Sequence, residues 1–128
     1  MKTRKIWANL GVEDLARTTE FYTALGFKSN GASNELTSFF VGEDDFVIHF
    51  FLKDILQSRM QLEMADPKTG NEVLFTLSAD SREEVDNWEK EVKQAGGTLV
   101  TKAEEFGKGY YGFVFADPDG HKYNVFYM

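Results

Sequence analysis

The feature that most restricts the fold is an internal repeat, because one order of elements occurs twice within 128 residues. A strand pattern over KIWANLGV precedes a helix pattern at about 14–25, and a strand pattern over VLFTLSA precedes a helix pattern at about 81–95. Glycines end both helix patterns, and Ser81 and Glu84 have the spacing of a capping box. After each helix comes a short strand and then a hairpin, with the turn GEDD in the first half and DPDG in the second.

This repeat predicts an α+β fold made of two βαβββ modules. We expect a single domain over residues 1–128, with modules at about 1–54 and 70–128 and a linker at 55–69. One helix covers only one face of a four-stranded sheet, so the other face must be buried against a second copy or curve around a cavity. The sequence therefore predicts mixed sheets that form an open, cavity-enclosing barrel.

The segment between the modules, residues 53–70, is polar and contains Met60 and Met64. Its pattern indicates one or two helical turns followed by an irregular stretch. Two interpretations remain open for it. It is either a connector whose apolar residues pack onto the sheet, or a lid over the cavity.

Composition excludes several classes of function. The net charge of −7 disfavours nucleic acid and anionic membrane surfaces, which require clustered Lys and Arg. The absence of cysteine excludes disulfides, thiolate nucleophiles and cysteine-based metal sites. No apolar run has the length of a signal peptide core or a membrane span, so we expect a cytoplasmic protein. The aromatic share of 15% suggests an aromatic core or cavity.

Two segments, VEDLARTTEFYTALGF and FADPDGHKYNVF, resemble the signature segments of the vicinal oxygen chelate superfamily. This superfamily comprises the glyoxalase, bleomycin-resistance protein and extradiol dioxygenase fold. The likeness runs through nearly the whole chain, because the repeated plan and the closing hairpin occur in the expected order. The resemblance implies the paired βαβββ fold and a homodimer. It does not by itself imply one chemistry, because one fold carries many functions.

In metal-dependent members of this superfamily, four inward-facing residues bind one divalent ion. The resemblance places these four positions at Trp7, His49, Leu74 and Asn124. Only His49 is a good ligand, since tryptophan and leucine have no lone pair to donate and the asparagine carbonyl is a weak donor. We therefore predict no metal ligands and no cofactor, with an atypically bound divalent metal as the alternative.

The same positions define a candidate ligand site. Asn9 and Thr76 lie two residues from Trp7 and Leu74, so alternation puts them on the same faces, where polar groups in an apolar cavity indicate a ligand. The remaining candidates each have two interpretations. His49 either contacts a ligand or is a core histidine satisfied by a neighbour. The aromatic side chains either stack on a ligand or belong to the core: Trp7, Phe51 and Phe126.

Two functions follow from this sequence. The first is a protein that binds a small, aromatic or amphipathic molecule in the inter-sheet cavity without a metal, using Asn124 as a hydrogen-bonding group. The alternative is a lyase, isomerase or dioxygenase-type enzyme, similar to lactoylglutathione lyase. It would use His49 as its catalytic general base or an atypically bound divalent metal.

Overall fold

The computed structural model describes all residues, 1–128, and consists of two compact units, Met1–Met64 and Ala65–Met128. The first unit contains β1 (Trp7–Val12), α1 (Leu15–Ala24), β2 (Lys28–Ala32), β3 (Leu36–Val41), β4 (Phe46–Leu52) and α2 (Lys53–Met60). The second unit contains β5 (Phe75–Ser78), α3 (Arg82–Ala95), β6 (Thr98–Leu99), β7 (Glu104–Glu105), β8 (Tyr111–Ala116) and β9 (Lys122–Tyr127).

The first sheet has the strand order β1-β4-β3-β2, in which β1 runs parallel to β4 and the other pairs are antiparallel. The helix α1 begins at Asp14, whose side chain accepts a hydrogen bond from the Arg17 N–H at 3.0 Å. It packs on β3 and β4, where Tyr22 stacks on Phe50 with 4.5 Å between ring centroids. This buried aromatic contact fixes one face of the sheet as the core of the unit.

The second sheet has the order β5-β9-β8-β6, with β7 also paired to β8, and β5 runs parallel to β9. The predicted capping box of α3 is confirmed, because Ser81 Oγ accepts from the Glu84 N–H at 3.0 Å and the Glu84 carboxylate accepts from the Asp80 N–H at 2.8 Å. Trp88 of this helix stacks on Phe115 of β8, with 6.3 Å between ring centroids. The helix therefore covers one face of its sheet.

The α+β class is confirmed, with two mixed sheets and three helices. The helices α1 and α3 lie within one residue of the bounds predicted from the sequence. Neither sheet closes into a barrel, and the cavity-enclosing barrel stays a prediction. None of the three helices is long and apolar enough to cross a membrane.

The start of the predicted linker is helical and belongs to the first unit. The helix α2 follows β4 directly, packs against β1 and β4, and buries Leu56. The burial of Leu56 is what the connector interpretation expects, and the lid over a cavity stays a prediction. The helix ends at Gln61, which adopts the left-handed conformation.

A hydrogen bond between Tyr111 on β8 and Asp86 on α3 makes stability depend on pH. The Tyr111 hydroxyl donates to Asp86 Oδ1 at 2.6 Å, and this bond to the carboxylate, with burial, raises the pKa of the phenol above its ordinary value of 10.0. A raised folded-state pKa stabilises the fold fully below the unfolded-state pKa, and the stabilisation is lost as the pH rises through the folded-state pKa. We expect Tyr111→Phe to be less stable than the wild type at pH 7 by up to about 1 kcal/mol.

That difference should shrink above pH 10 as the wild-type phenol ionises. Urea unfolding of both proteins between pH 7 and pH 11 measures it. The two proteins differ only at residue 111, so the comparison isolates the contribution of this phenol. A difference that stays constant to the alkaline end would contradict the assigned bond.

Candidate functional site

The open face of the first sheet, defined as the face opposite α1, carries the predicted site residues of this unit. On β4, Ile48 and Phe50 are fully buried on the side where Tyr22 packs, and alternation therefore points His49 to the open face. Asn9 on β1 is the Cα partner of His49, so the two side chains lie side by side on adjacent strands.

A row of polar side chains crosses all four strands on this open face, and we call it the polar row. In strand order from β2 to β1 it consists of Asn30, Ser38, His49 and Asn9. The Asn30 Nδ2–H donates to Ser38 Oγ at 3.1 Å, and Ser38 Oγ lies 2.8 Å from His49 Nδ1. At the β1 end of the row, Asn9 Oδ1 is buried without a hydrogen-bond partner.

The hydrogen bonds of the polar row determine which nitrogen of His49 carries the proton. Ser38 is 1% exposed, and its oxygen already accepts from Asn30. We assign the hydroxyl proton of Ser38 to a bond with His49 Nδ1, since a buried donor without an acceptor is costly. In this arrangement Nδ1 accepts, and the neutral ring carries its proton on Nε2 as a donor.

Aromatic rings flank His49 on the open face. The ring centroid of Trp7 lies 6.2 Å from that of the imidazole, and the ring centroid of Phe51 lies 6.0 Å from it. Both pairs are edge-to-face. Trp7 is 52% exposed, so it is not a core side chain, whereas Phe51 is half-buried. A core histidine would have its ring nitrogens satisfied by neighbouring side chains. In His49 this is true of Nδ1, whose partner is Ser38.

The open face of the second sheet, opposite α3, contains a pocket of about 320 Å³. The residues that line it are Leu74, Thr101, Glu104, Phe106, Gly112, Phe113, Val114 and Asn124. Asn124 and Leu74, both predicted, are brought together there, and Leu74 is 51% exposed. Thr76 is the Cα partner of Asn124 and is exposed beside it. This pocket therefore combines apolar walls with three polar side chains, those of Asn124, Thr101 and Glu104.

Phe126 does not line the pocket but lies on the same strand face as Asn124. Its ring stacks on that of Tyr110, with 5.4 Å between ring centroids, and lies against that of Phe106, with 5.5 Å between centroids. The segment from Phe106 to Tyr110 carries two glycines with positive φ, which shape the loop between β7 and β8. Phe126 thus supports the aromatic wall that Phe106 contributes.

Sequence reasoning missed the pocket residues that precede β8, namely Thr101, Glu104 and Phe106. Thr101 Oγ1 accepts from the Val114 N–H at 2.9 Å, and Glu104 pairs with Gly112 across β7 and β8. The motif FGKGYY, with two glycines between aromatic residues, was the available signal for a turn at this place. Ser38 was also missed, although the hairpin turn GEDD fixes it opposite His49.

The four positions that the resemblance assigns to metal ligands do not fit a divalent ion. Trp7 and Leu74 offer no donor atom, and Asn124 offers only an amide oxygen. His49 Nδ1 is bonded to Ser38. No group of three or more His, Asp or Glu side chains is placed to hold a metal.

Comparison with known proteins supports the family resemblance. The model of the family described as Glyoxalase/Bleomycin resistance protein/Dioxygenase superfamily matches residues 6–125. A hypothetical protein from S. aureus is similar in structure, with a TM-score of 0.87, 31% identity, and coverage of 100% of this chain and 96% of that chain. A comparison with curated proteins gave no match.

Two further solved structures share the fold at lower identity. A glyoxalase-related enzyme from Fulvimarina pelagi has a TM-score of 0.86 and 21% identity, covering 98% of this chain and 89% of that chain. A lactoylglutathione lyase from Agrobacterium tumefaciens has a TM-score of 0.70 and 19% identity, covering 99% of this chain and 96% of that chain. At these identities the likeness shows the fold and not the activity.

Proposed function

Because the chain belongs to the Glyoxalase/Bleomycin resistance protein/Dioxygenase superfamily, we propose that it binds a small aromatic or amphipathic molecule without a metal. The ligand is held in the pocket of the second unit, where it contacts Asn124. The polar row of the first unit, taken by itself, also offers hydrogen-bonding groups to a small molecule. The homodimer, the cytoplasmic location and the small-molecule partner belong to this proposal.

The pocket around Asn124 is the observation that carries the proposal. Its volume of about 320 Å³ is at the lower end of the range for small-molecule sites, and its lining combines apolar side chains with a few polar groups. The half-exposed aromatic ring of Phe106 forms one wall. Such a pocket favours a ligand with an apolar ring and one or two hydrogen-bonding atoms.

An enzymatic function is the second candidate, and His49 is the observation that favours it. Its imidazole is held by Ser38 through Nδ1, which leaves Nε2 for a substrate. A lyase, isomerase or dioxygenase-type reaction would use His49 as a general base or an atypically bound divalent metal. Because the polar row puts the proton on Nε2, it favours a donor role for His49 over a base. We therefore prefer the binding function.

We expect Asn124→Leu to weaken ligand binding at least tenfold while the fold is retained, because Asn124 is one of the few polar side chains that line this largely apolar pocket. Ligand-observed NMR with a panel of aromatic and amphipathic fragments measures binding, and urea unfolding measures stability. The control is Asn87→Leu, which makes the same change at an exposed position of α3. Fragments that bind the wild type and Asn124→Leu equally well would count against the pocket as the site.

A further inference from the structure

Asn9 presents an acceptor that no group of the protein satisfies. Its Oδ1 is buried, and no donor in the chain reaches it. Buried side-chain oxygens nearly always have a hydrogen-bond partner, and the exceptions require an explanation such as a bound water or ligand. The partner of Asn9 must itself supply an N–H or O–H group.

His49 presents a donor beside that acceptor. Asn9 and His49 are Cα partners on adjacent parallel strands, which lie about 4.8 Å apart. The chain of hydrogen bonds from Asn30 through Ser38 fixes the imidazole proton on Nε2. The open face therefore carries an acceptor and a donor on neighbouring strands, and the remaining two members of the polar row hold the donor in place.

This pair is complementary to a planar group that has a donor and an acceptor on one edge, both attached to the same carbon atom. We propose that Asn9 and His49 bind the edge of a neutral primary amide or a lactam. Because Asn9 Oδ1 is buried, neighbouring side chains must move before the ligand N–H can donate to it. The ligand carbonyl accepts from His49 Nε2–H. The assignment names the ligand class for the binding function proposed above and rests on that function.

The chemistry of the pair selects against anions. A carboxylate has no proton to donate, so it would leave Asn9 Oδ1 unsatisfied and bring a negative charge towards a buried oxygen. The overall charge of −7 also opposes an anionic ligand. A tertiary amide keeps the carbonyl but lacks the N–H, so it satisfies His49 alone.

The two rings beside His49 indicate what the amide is attached to. Trp7 and Phe51 both lie about 6 Å from the imidazole, one on β1 and one on β4. An aromatic ring attached to the amide carbonyl packs against these side chains while the amide contacts the polar pair. An aromatic amide is therefore the simplest ligand of this class.

Three matched probes test the assignment: benzamide, N,N-dimethylbenzamide and benzoate. They share one ring and differ in the donor and the charge. Titrations followed by the NMR signals of the Asn9 side-chain amide and the His49 imidazole should show that benzamide binds at least tenfold more tightly than either of the other two. Equal affinity of benzamide and N,N-dimethylbenzamide, or no binding of benzamide, overturns the proposal.

Two variants give the complementary test with benzamide. Asn9→Ala should lose at least tenfold in affinity, whereas Asn34→Ala, at an exposed turn position of the same unit, should bind as the wild type does. Ser38→Ala removes the donor to Nδ1 and should shift the imidazole nitrogen signals away from the Nε2–H tautomer. Unchanged binding by Asn9→Ala, or a wild-type imidazole that is protonated on Nδ1, overturns the proposal.

The outcome is separable from that of the binding function itself. Suppose that Asn124→Leu weakens fragment binding while Asn9→Ala leaves the affinity for benzamide unchanged. The pocket of the second unit is then supported and the amide assignment is wrong. Suppose instead that Asn124→Leu binds every fragment as the wild type does while Asn9→Ala weakens benzamide binding. The amide assignment is then supported and the pocket is not the ligand site.

Discussion

Replacement of Asp117 by alanine should lower the free energy of unfolding by about 3–5 kcal/mol. Asp117 is 3% exposed and occupies the first position of the turn between β8 and β9. Its Oδ1 accepts hydrogen bonds from the N–H groups of Asp119, Gly120 and His121 at 3.0, 2.9 and 2.9 Å. Alanine removes the acceptor that these three N–H groups share, although the Gly120 N–H still donates to the Asp117 carbonyl oxygen at 3.0 Å. Loss of an acceptor for a buried donor costs about 1–3 kcal/mol.

Urea unfolding followed by circular dichroism measures this loss, and Asp66→Ala is its matched control. Asp66 Oδ1 also accepts a backbone N–H two residues along the chain, from Lys68 at 3.0 Å, but this bond is exposed. The control should therefore lose no more than about 1 kcal/mol. Equal losses in the two variants would mean that the buried turn contributes nothing beyond an ordinary surface turn.

The Asp117 turn also shows why much of the fold could be predicted from the sequence. Its motif DPDG combines a side chain that accepts backbone N–H groups with a glycine at φ +102°, so the local chemistry dictates the turn. The caps at Asp14 and Ser81 are local in the same way. These signals fixed the helix starts and the hairpins, and the hairpins fixed the strands that carry His49 and Asn124.

The parts that sequence reasoning missed depend on contacts between distant residues. The strand β2 contains an irregularity between Ser29 and Ala32, so counting along the chain could not place Asn30 against Ser38. The strands β6 and β7 have two residues each and show no periodicity. The pairing of β7 with β8 puts Glu104 beside Gly112 in the pocket wall. The unsatisfied oxygen of Asn9 is likewise a property of packing rather than of any local motif.

The second large effect is expected at Gly112, where alanine should lower the free energy of unfolding by about 3 kcal/mol or more. A Cβ atom at this position would lie 2.2 Å from the Val125 carbonyl oxygen and 3.3 Å from Phe126 Cα. Both obstacles are backbone atoms of the neighbouring strand β9, so no flexible side chain can move aside. The strands β8 and β9 must separate locally, which also displaces the pocket wall that Gly112 forms.

Gly70→Ala is the matched control, because a Cβ atom there meets nothing within 4 Å and the backbone is outside the positive-φ region. It should change stability by no more than about 0.5 kcal/mol, or increase it slightly through the lower entropy of the unfolded chain. Thermal and urea unfolding of the two variants give the comparison. If Gly112→Ala proves as stable as Gly70→Ala, the close approach of β8 to Val125 is wrong. The pairing of Gly112 with Phe126, on which the pocket depends, would then be wrong as well.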